Sequence, residues 1–101
     1  MVLEIARFHI QPGQEEAFVA AYHVAVKALQ SSPGCQSVRI TRGIESPSLF
    51  TLLVEWDSVE AHEQNFRATD RFAVWRGHIS PFFAATPAME HFVDVPVADP
   101  S

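Results

Sequence analysis

The sequence predicts an α+β domain, and three observations lead there. Strand-like and helix-like hydrophobic periods follow one another in the order β-α-β-β-α-α-β, the helical segments are apolar along one stripe only, and the strand segments alternate over short runs. Two packed layers satisfy all three: a four-stranded antiparallel sheet with its helices on one face, in the split βαβ or ferredoxin-like arrangement. With 101 residues, against roughly 100–200 per domain, the chain reads as one domain, 1–101, with its core over about 2–95 and a short tail at 96–101.

Each element has its own reason. Val2, Ala6, Phe8 and Ile10 share one parity and Leu3 and Ile5 the other, which makes residues 2–10 a strand that Pro12 and Gly13 end. From Gln14 to about Ser31, Phe18, Ala21, Tyr22, Ala25, Val26 and Leu29 recur at helical steps, and Glu15 and Glu16 sit at the positive end of the helix dipole. Ser32-Pro33-Gly34 breaks that helix. Val38 and Ile40 then alternate with Arg39 and Thr41 in a second strand, and Gly43 to Ser48 forms a turn. In LFTLLVEW, residues 49–56, Phe50, Leu52, Val54 and Trp56 lie on one face and Leu49, Thr51 and Leu53 on the other. Asp57 followed by Glu60 predicts a capping box at the start of a short helix from Val59 to about Arg67. Thr69 or Asp70 caps the next helix, in which Phe72, Trp75 and Ile79 form one stripe before Pro81 ends it. Residues 89–95, MEHFVDV, alternate as the last strand, and the tail is expected to be loose.

Composition narrows the partners. Twelve acidic against seven basic residues give a net charge of -5, so no basic field gathers phosphates and nucleic acid is not an expected partner. No apolar run approaches the ~20 residues of a membrane span, and MVLEIARFHI has no basic and apolar leader pattern. The expectation is a cytoplasmic chain with no membrane partner. Cys35 is the single cysteine, which excludes an internal disulfide; beside a turn and without a CxxC partner it reads as unreactive.

The third strand is apolar on both faces, while the helices cover one. An antiparallel sheet with a wet face carries polar residues there, so a second copy of the chain is the expected cover, making a homodimer through the sheet face.

The segment LLVEWDSVEAHEQNFRATDRFAVWRGHISPFF, with Glu55-Trp56, the Ser58 to Ala61 Ser-x-Glu-Ala and the Asp70 to Phe72 Asp-x-Phe, is similar to the antibiotic biosynthesis monooxygenase domain family. Gln11-Pro12-Gly13 followed by Glu15-Glu16 and Phe18 also fits, so the likeness spans residues 2–95. It implies a dimeric α+β barrel with a pocket in each protomer between the sheet and the later helices. It implies one of three activities: oxygenation of phenolic or quinol-like compounds without a cofactor, quinol oxidation, or haem degradation. Haem-degrading members place an Asn, a Trp and a His where this chain has Ala6, Phe66 and Arg76, so those residue roles do not carry over, and haem binding or degradation stays a lesser alternative.

Oxygenation without a cofactor makes the substrate itself the electron donor, so it must be an easily oxidised anion. The site then needs a base, a donor for the oxyanion and an apolar box. Of the five histidines, His23 belongs to the polar face of the first helix, while His9 and His91 share the parity of the inter-subunit face. That leaves His62 and His78 as candidate bases. No two histidines have the three- or four-residue spacing of a helical metal site, so no metal is expected. Asn65 and Arg76 are candidate orienters of an anionic small aromatic ligand, with Asp70 and Glu63 as alternative partners for Arg76. Trp75, Phe66, Phe72 and Phe82, with Phe83 beside them, are candidate walls of the pocket; for each ring taken singly, plain core under the helices is the default. A small-ligand-binding or stress-associated dimer without turnover, and haem binding without degradation, are the alternatives.

Overall fold

Residues 1–98 are described by the computed structural model. The chain runs through β1 (Val2–His9), α1 (Glu15–Gln30), β2 (Cys35–Arg42), β3 (Leu49–Trp56), α2 (Val59–His62), a π-turn (Glu63–Arg67), α3 (Asp70–Ile79), a 3₁₀ turn (Ser80–Phe82) and β4 (Ala88–Phe92). Its four strands pair antiparallel in the order β2-β3-β1-β4, which is the ferredoxin-like topology that the order of elements predicts.

The two central strands divide the sheet into faces. In the β1–β3 register Val2 faces Trp56, Ala6 faces Leu52 and Phe8 faces Phe50, and these side chains are buried under the helices, apart from the half-buried Val2. From α1, Phe18, Tyr22, Ala25 and Leu29 pack onto them, spaced by one or two helical turns so that one stripe meets the sheet. The stripe of α3 is shorter, with Trp75 and Ile79 buried and Phe72 half-buried. On the opposite face Leu3, Ile5, Leu49, Thr51 and Leu53 are half-buried at the centre, and Arg7, His9, Arg39 and Glu55 are exposed around them. The apolar surplus seen in the sequence is thus a patch in the middle of the sheet with a polar rim.

Several boundaries differ from those the sequence predicts. Ser58, not Asp57, caps α2: its hydroxyl accepts the Ala61 N–H at 3.0 Å, while Asp57 accepts from Gln36 Nε2 at 2.7 Å. The helix from Val59 to Arg67 is not one α-helix; after a single turn it widens into the π-turn. Thr69 caps α3 through a 3.3 Å bond from the Arg71 N–H. The last strand ends at Phe92 rather than at residue 95, and Val93 and Val95 beyond it are exposed. Of the predicted loose tail, 96–98 have no regular structure and 99–101 lie outside the described residues.

The larger correction concerns His91. Pairing sets Glu4 opposite His91 and Ala6 opposite Met89, so His91 belongs to the face under the helices and not to the free one. Alternation within a strand cannot say which parity points inward; a one-residue change of register reverses it.

The turn into β2 depends on Gly34, whose φ of +89° is the left-handed conformation that L side chains avoid. A Cβ there would come within 2.7 Å of the Ala61 Cβ, and its carbonyl already holds the Asp57 N–H at 2.9 Å. Gly34→Ala should therefore lower stability by about 1–3 kcal/mol, read by denaturant melts; an unchanged midpoint would show that this turn is not under strain.

Candidate functional site

A cavity of about 530 Å³ lies between the sheet and the later helices. Ala6, Phe8, Leu52 and Met89 form its sheet side, Phe66, Phe72, Trp75 and Ile79 its helix side, and Phe83 to Pro87 a third side. Ala6 is the small residue at the centre of β1, and its methyl leaves room that a larger side chain would fill. The aromatic rings are mutually braced. Phe66 meets Phe72 edge-on at 5.5 Å, Trp75 meets Tyr22 at 6.0 Å, and Phe83 stacks on Phe8 at 5.1 Å.

At one end the apolar wall is interrupted by Glu4, which is only 6% exposed although it sits on the inward parity of β1. Its Oε1 accepts the Trp56 Nε1–H at 3.0 Å and lies 3.4 Å from His62 Nε2. His62, 2% exposed, is stacked between Trp56 at 4.9 Å and Phe66 at 6.1 Å, and its Nδ1 is 2.7 Å from His91 Nε2. Trp56, Glu4, His62 and His91 thus form one chain of polar contacts joining β3, β1, α2 and β4.

Burial sets the charge state of that chain. It pushes the Glu4 carboxyl above its ordinary range and Glu63 adds to the rise, while the Trp56 hydrogen bond and the Arg67 charge pull the other way. His62 is pushed down to about 4, first by burial and then by the His91 and Arg67 charges. At neutral pH the ring is uncharged. A carboxylate beside Nε2 places the ring proton there, which leaves Nδ1 to accept from the His91 Nε2–H. Two guanidinium groups stand at the mouth: Arg67, 5.1 Å above the Phe72 ring, and Arg76, both exposed. Among the described residues Arg76 forms no ion pair with Asp70 or Glu63.

Five of the eight candidate residues come together here: His62, Phe66, Phe72, Trp75 and Arg76 all line the cavity. Three do not. His78 is exposed on the outer side of α3, because Trp75 and Ile79 take the inward stripe and leave no room for a third position between them. Asn65 turns away and donates to the Pro33 carbonyl at 2.7 Å, tying the π-turn to the end of α1. Phe82 meets Phe18 edge-on at 6.4 Å against the core, since the 3₁₀ turn ends there and the extended backbone of Phe83 turns the next ring to the cavity instead. Ala6, Phe66 and Arg76, where haem-degrading proteins carry Asn, Trp and His, all lie on the cavity wall. Cys35 is half-buried, with its thiol pushed up to about 11 by burial and by the Glu4 charge, in keeping with an unreactive thiol.

Glu4 and His91 were not legible as site residues, though one had a signal. A carboxylate at the second position of the Val2-Glu4-Ala6-Phe8-Ile10 parity interrupts an otherwise apolar inward face. His91 had none, because only strand pairing brings it to His62.

Residues 1–77 match the family model described as antibiotic biosynthesis monooxygenase. An uncharacterised Bacillus subtilis protein, YczJ, is 32% identical over 95 residues, which cover 94% of this chain and all of that one. A crystal structure from Bordetella bronchiseptica, described as a provisional antibiotic biosynthesis monooxygenase, superposes with a TM-score of 0.89 at 35% identity, over 94% of this chain and 97% of its own. A conserved protein from Methanosarcina mazei shares the fold, with a TM-score of 0.79 at 18% identity over 90% and 89% of the two chains. No helix of the described residues is long and apolar enough to cross a membrane.

The state of His62 has a measurable sign. The folded chain protonates this ring near 4 and the unfolded chain near 6.5, so between those values the unfolded chain binds more protons. The stability from keeping the ring neutral is present above 6.5 and is lost as pH falls toward 4. At roughly 1.4 kcal/mol per pKa unit the loss is at most about 3 kcal/mol. Glu4, raised when folded, works in the opposite sense and loses its contribution as pH rises through its folded pKa. His62→Gln should therefore make the acid decline of Tm shallower than in the wild type; parallel declines would mean that His62 titrates alike in both states.

Proposed function

The chain belongs to the antibiotic biosynthesis monooxygenase family, and on that premise we propose that it is a monooxygenase that uses no cofactor and acts on a small electron-rich aromatic, a phenol or hydroquinone. The observation that carries this reading is the cavity itself: aromatic walls, one buried carboxylate paired with a neutral imidazole at the inner end, and two guanidinium groups at the mouth. The flat apolar volume suits a ring sandwiched by Phe66, Phe72 and Trp75, and the guanidinium of Arg76 or Arg67 suits the phenolate oxygen.

Glu4, rather than either histidine alone, is the proton acceptor in this reading. Both nitrogens of His62 already face partners, Glu4 on one side and His91 on the other, so the ring orients the carboxylate and shares the proton it takes up. A carboxyl raised by burial is a stronger base than one in water. Loss of the phenolic proton gives the phenolate, which passes an electron to dioxygen. Recombination at a hydrogen-bearing ring carbon ortho or para to the oxygen forms a hydroperoxide, and loss of water leaves a quinone, which from a hydroquinone is the hydroxyquinone. One oxygen atom enters the product and the other leaves as water, with both electron pairs drawn from the substrate. The apolar walls keep bulk water from the radical pair.

An oxygen electrode with a panel of phenols and hydroquinones tests the reading. Turnover with stoichiometric oxygen uptake is expected, and Glu4→Gln or His62→Gln should slow it by about 100-fold or more, in the range removed with a general base. Ala6→Leu should block binding with the fold intact. Saturable quenching of Trp fluorescence with no oxygen uptake would replace the reading with the non-catalytic binder, and uptake untouched by Glu4→Gln would remove Glu4 as base.

The apolar centre of the free sheet face supports a second copy as its cover. Light scattering after size exclusion should give a dimer at micromolar concentration, and Leu53→Lys, which puts a charge at the patch centre, should give a folded monomer. A wild-type monomer would overturn this.

A further inference from the structure

We propose that His62, His91 and Glu63 form a binding site for a divalent transition-metal ion of the Zn²⁺ class, on the side of His62 away from the cavity. One ligand atom from each of these residues lies within 4.8 Å of the other two, and neither His91 nor Glu63 lines the cavity. Two imidazoles and a carboxylate are a donor set for borderline divalent metals with coordination positions left open.

The surroundings are those of a metal-ligating histidine. Such a ring donates its other N–H to a carboxylate, which fixes the tautomer and turns the remaining lone pair toward the ion. Here Glu4 lies 3.4 Å from His62 Nε2 and is itself held by Trp56 Nε1 at 3.0 Å, so Nδ1 is the ring's acceptor nitrogen. Opposite it, at 2.7 Å, is His91 Nε2. Two nitrogens that close share a single proton, and a metal ion takes the place of that proton. With metal–nitrogen bonds of about 2.0–2.1 Å, the pair must open by roughly half an ångström, a small rotation for the half-buried His91 ring on an edge strand. Glu63 brings a carboxylate to the ion, and Arg67 is the cation that acts on both Glu4 and His62. The ion would approach past Glu63 and His91, both half-buried, and not through the fully buried His62. Bound there, it would tie the five-residue β4 to the junction of α2 and the π-turn.

The test needs no substrate and stands apart from the oxygenase reading. The full chain, stripped with a chelator and equilibrated with Zn²⁺, is assayed by elemental analysis and calorimetric titration. About one Zn²⁺ per chain and a raised Tm are expected, with at least tenfold weaker binding in both Glu63→Gln and His91→Ala. Unchanged binding in His23→Ala and His78→Ala, which remove exposed rings, completes the expected pattern. Substoichiometric zinc, zinc held equally by Glu63→Gln, or zinc lost with His23 or His78 would overturn the proposal and leave the pair sharing only a proton. Glu63 is half-buried and Gln keeps its size and shape, so Glu63→Gln carries the test even if His91→Ala does not fold.

Discussion

A carboxylate on the covered face of the sheet is the constraint around which this molecule is arranged. Leaving Glu4 unpaired in that position would cost several kcal/mol, and a hydrogen bond to a charged group returns about 1.5–3 kcal/mol. The Trp56 indole supplies that bond from the neighbouring strand, and His62 closes over the carboxylate from above. Trp56 therefore has two tasks: its ring seals the core at the end of β3, and its one polar atom satisfies the group that the core would otherwise exclude. His91, paired opposite Glu4 on β4, extends the arrangement to the sheet edge. Four elements meet at this point, two of them, β1 and β4, from opposite ends of the chain, so their positions are mutually dependent.

The π-turn follows from the same demand. An α-helix continued through residues 63–67 would carry each side chain about 100° around the axis per residue, whereas the wider turn keeps His62 and Phe66 nearly parallel, with 21° between their planes at 6.1 Å. Trp56, His62 and Phe66 then form a stack that ends at the cavity. Widened turns of this kind recur at functional sites. Here the turn also brings Arg67 over Phe72 at the mouth and sends Asn65 to the Pro33 carbonyl, where it fastens the back of the site. One local irregularity thus contributes to both the polar end of the cavity and its mouth.

Much of the fold was legible in the residues. The stripe of Phe18, Tyr22, Ala25 and Leu29, the two-sided apolar run of β3 and the turn residues Pro12-Gly13 and Pro33-Gly34 each have one economical reading, and the element order leaves one simple topology. The helix-side walls of the cavity were legible in part, because Phe72 and Trp75 lie on the one apolar stripe of their helix, while Phe66 stood out only as one ring in an aromatic concentration. Its chemistry was less so. His62 stood out as a histidine beside the aromatic run, but His78, three residues beyond Trp75, had the same appearance and proved to face solvent. Phe82 and Phe83 were both candidate walls, and only Phe83 lines the cavity, because adjacent side chains diverge where the 3₁₀ turn gives way to extended chain.

By itself the sequence determined the class of the domain, the order of its elements and the apolar surplus of its sheet, because each of these is written in periodicities shorter than a single element; the pocket was only what the family resemblance implies. Only the tertiary structure decided which polar groups meet. Glu4, Trp56, His62 and His91 belong to four elements, and their contacts depend on strand register and on the pitch of one short turn. Periodicity within an element carries no information about register between elements, so the carboxylate that interrupts the apolar parity of β1 acquired a meaning only when its neighbours were in place.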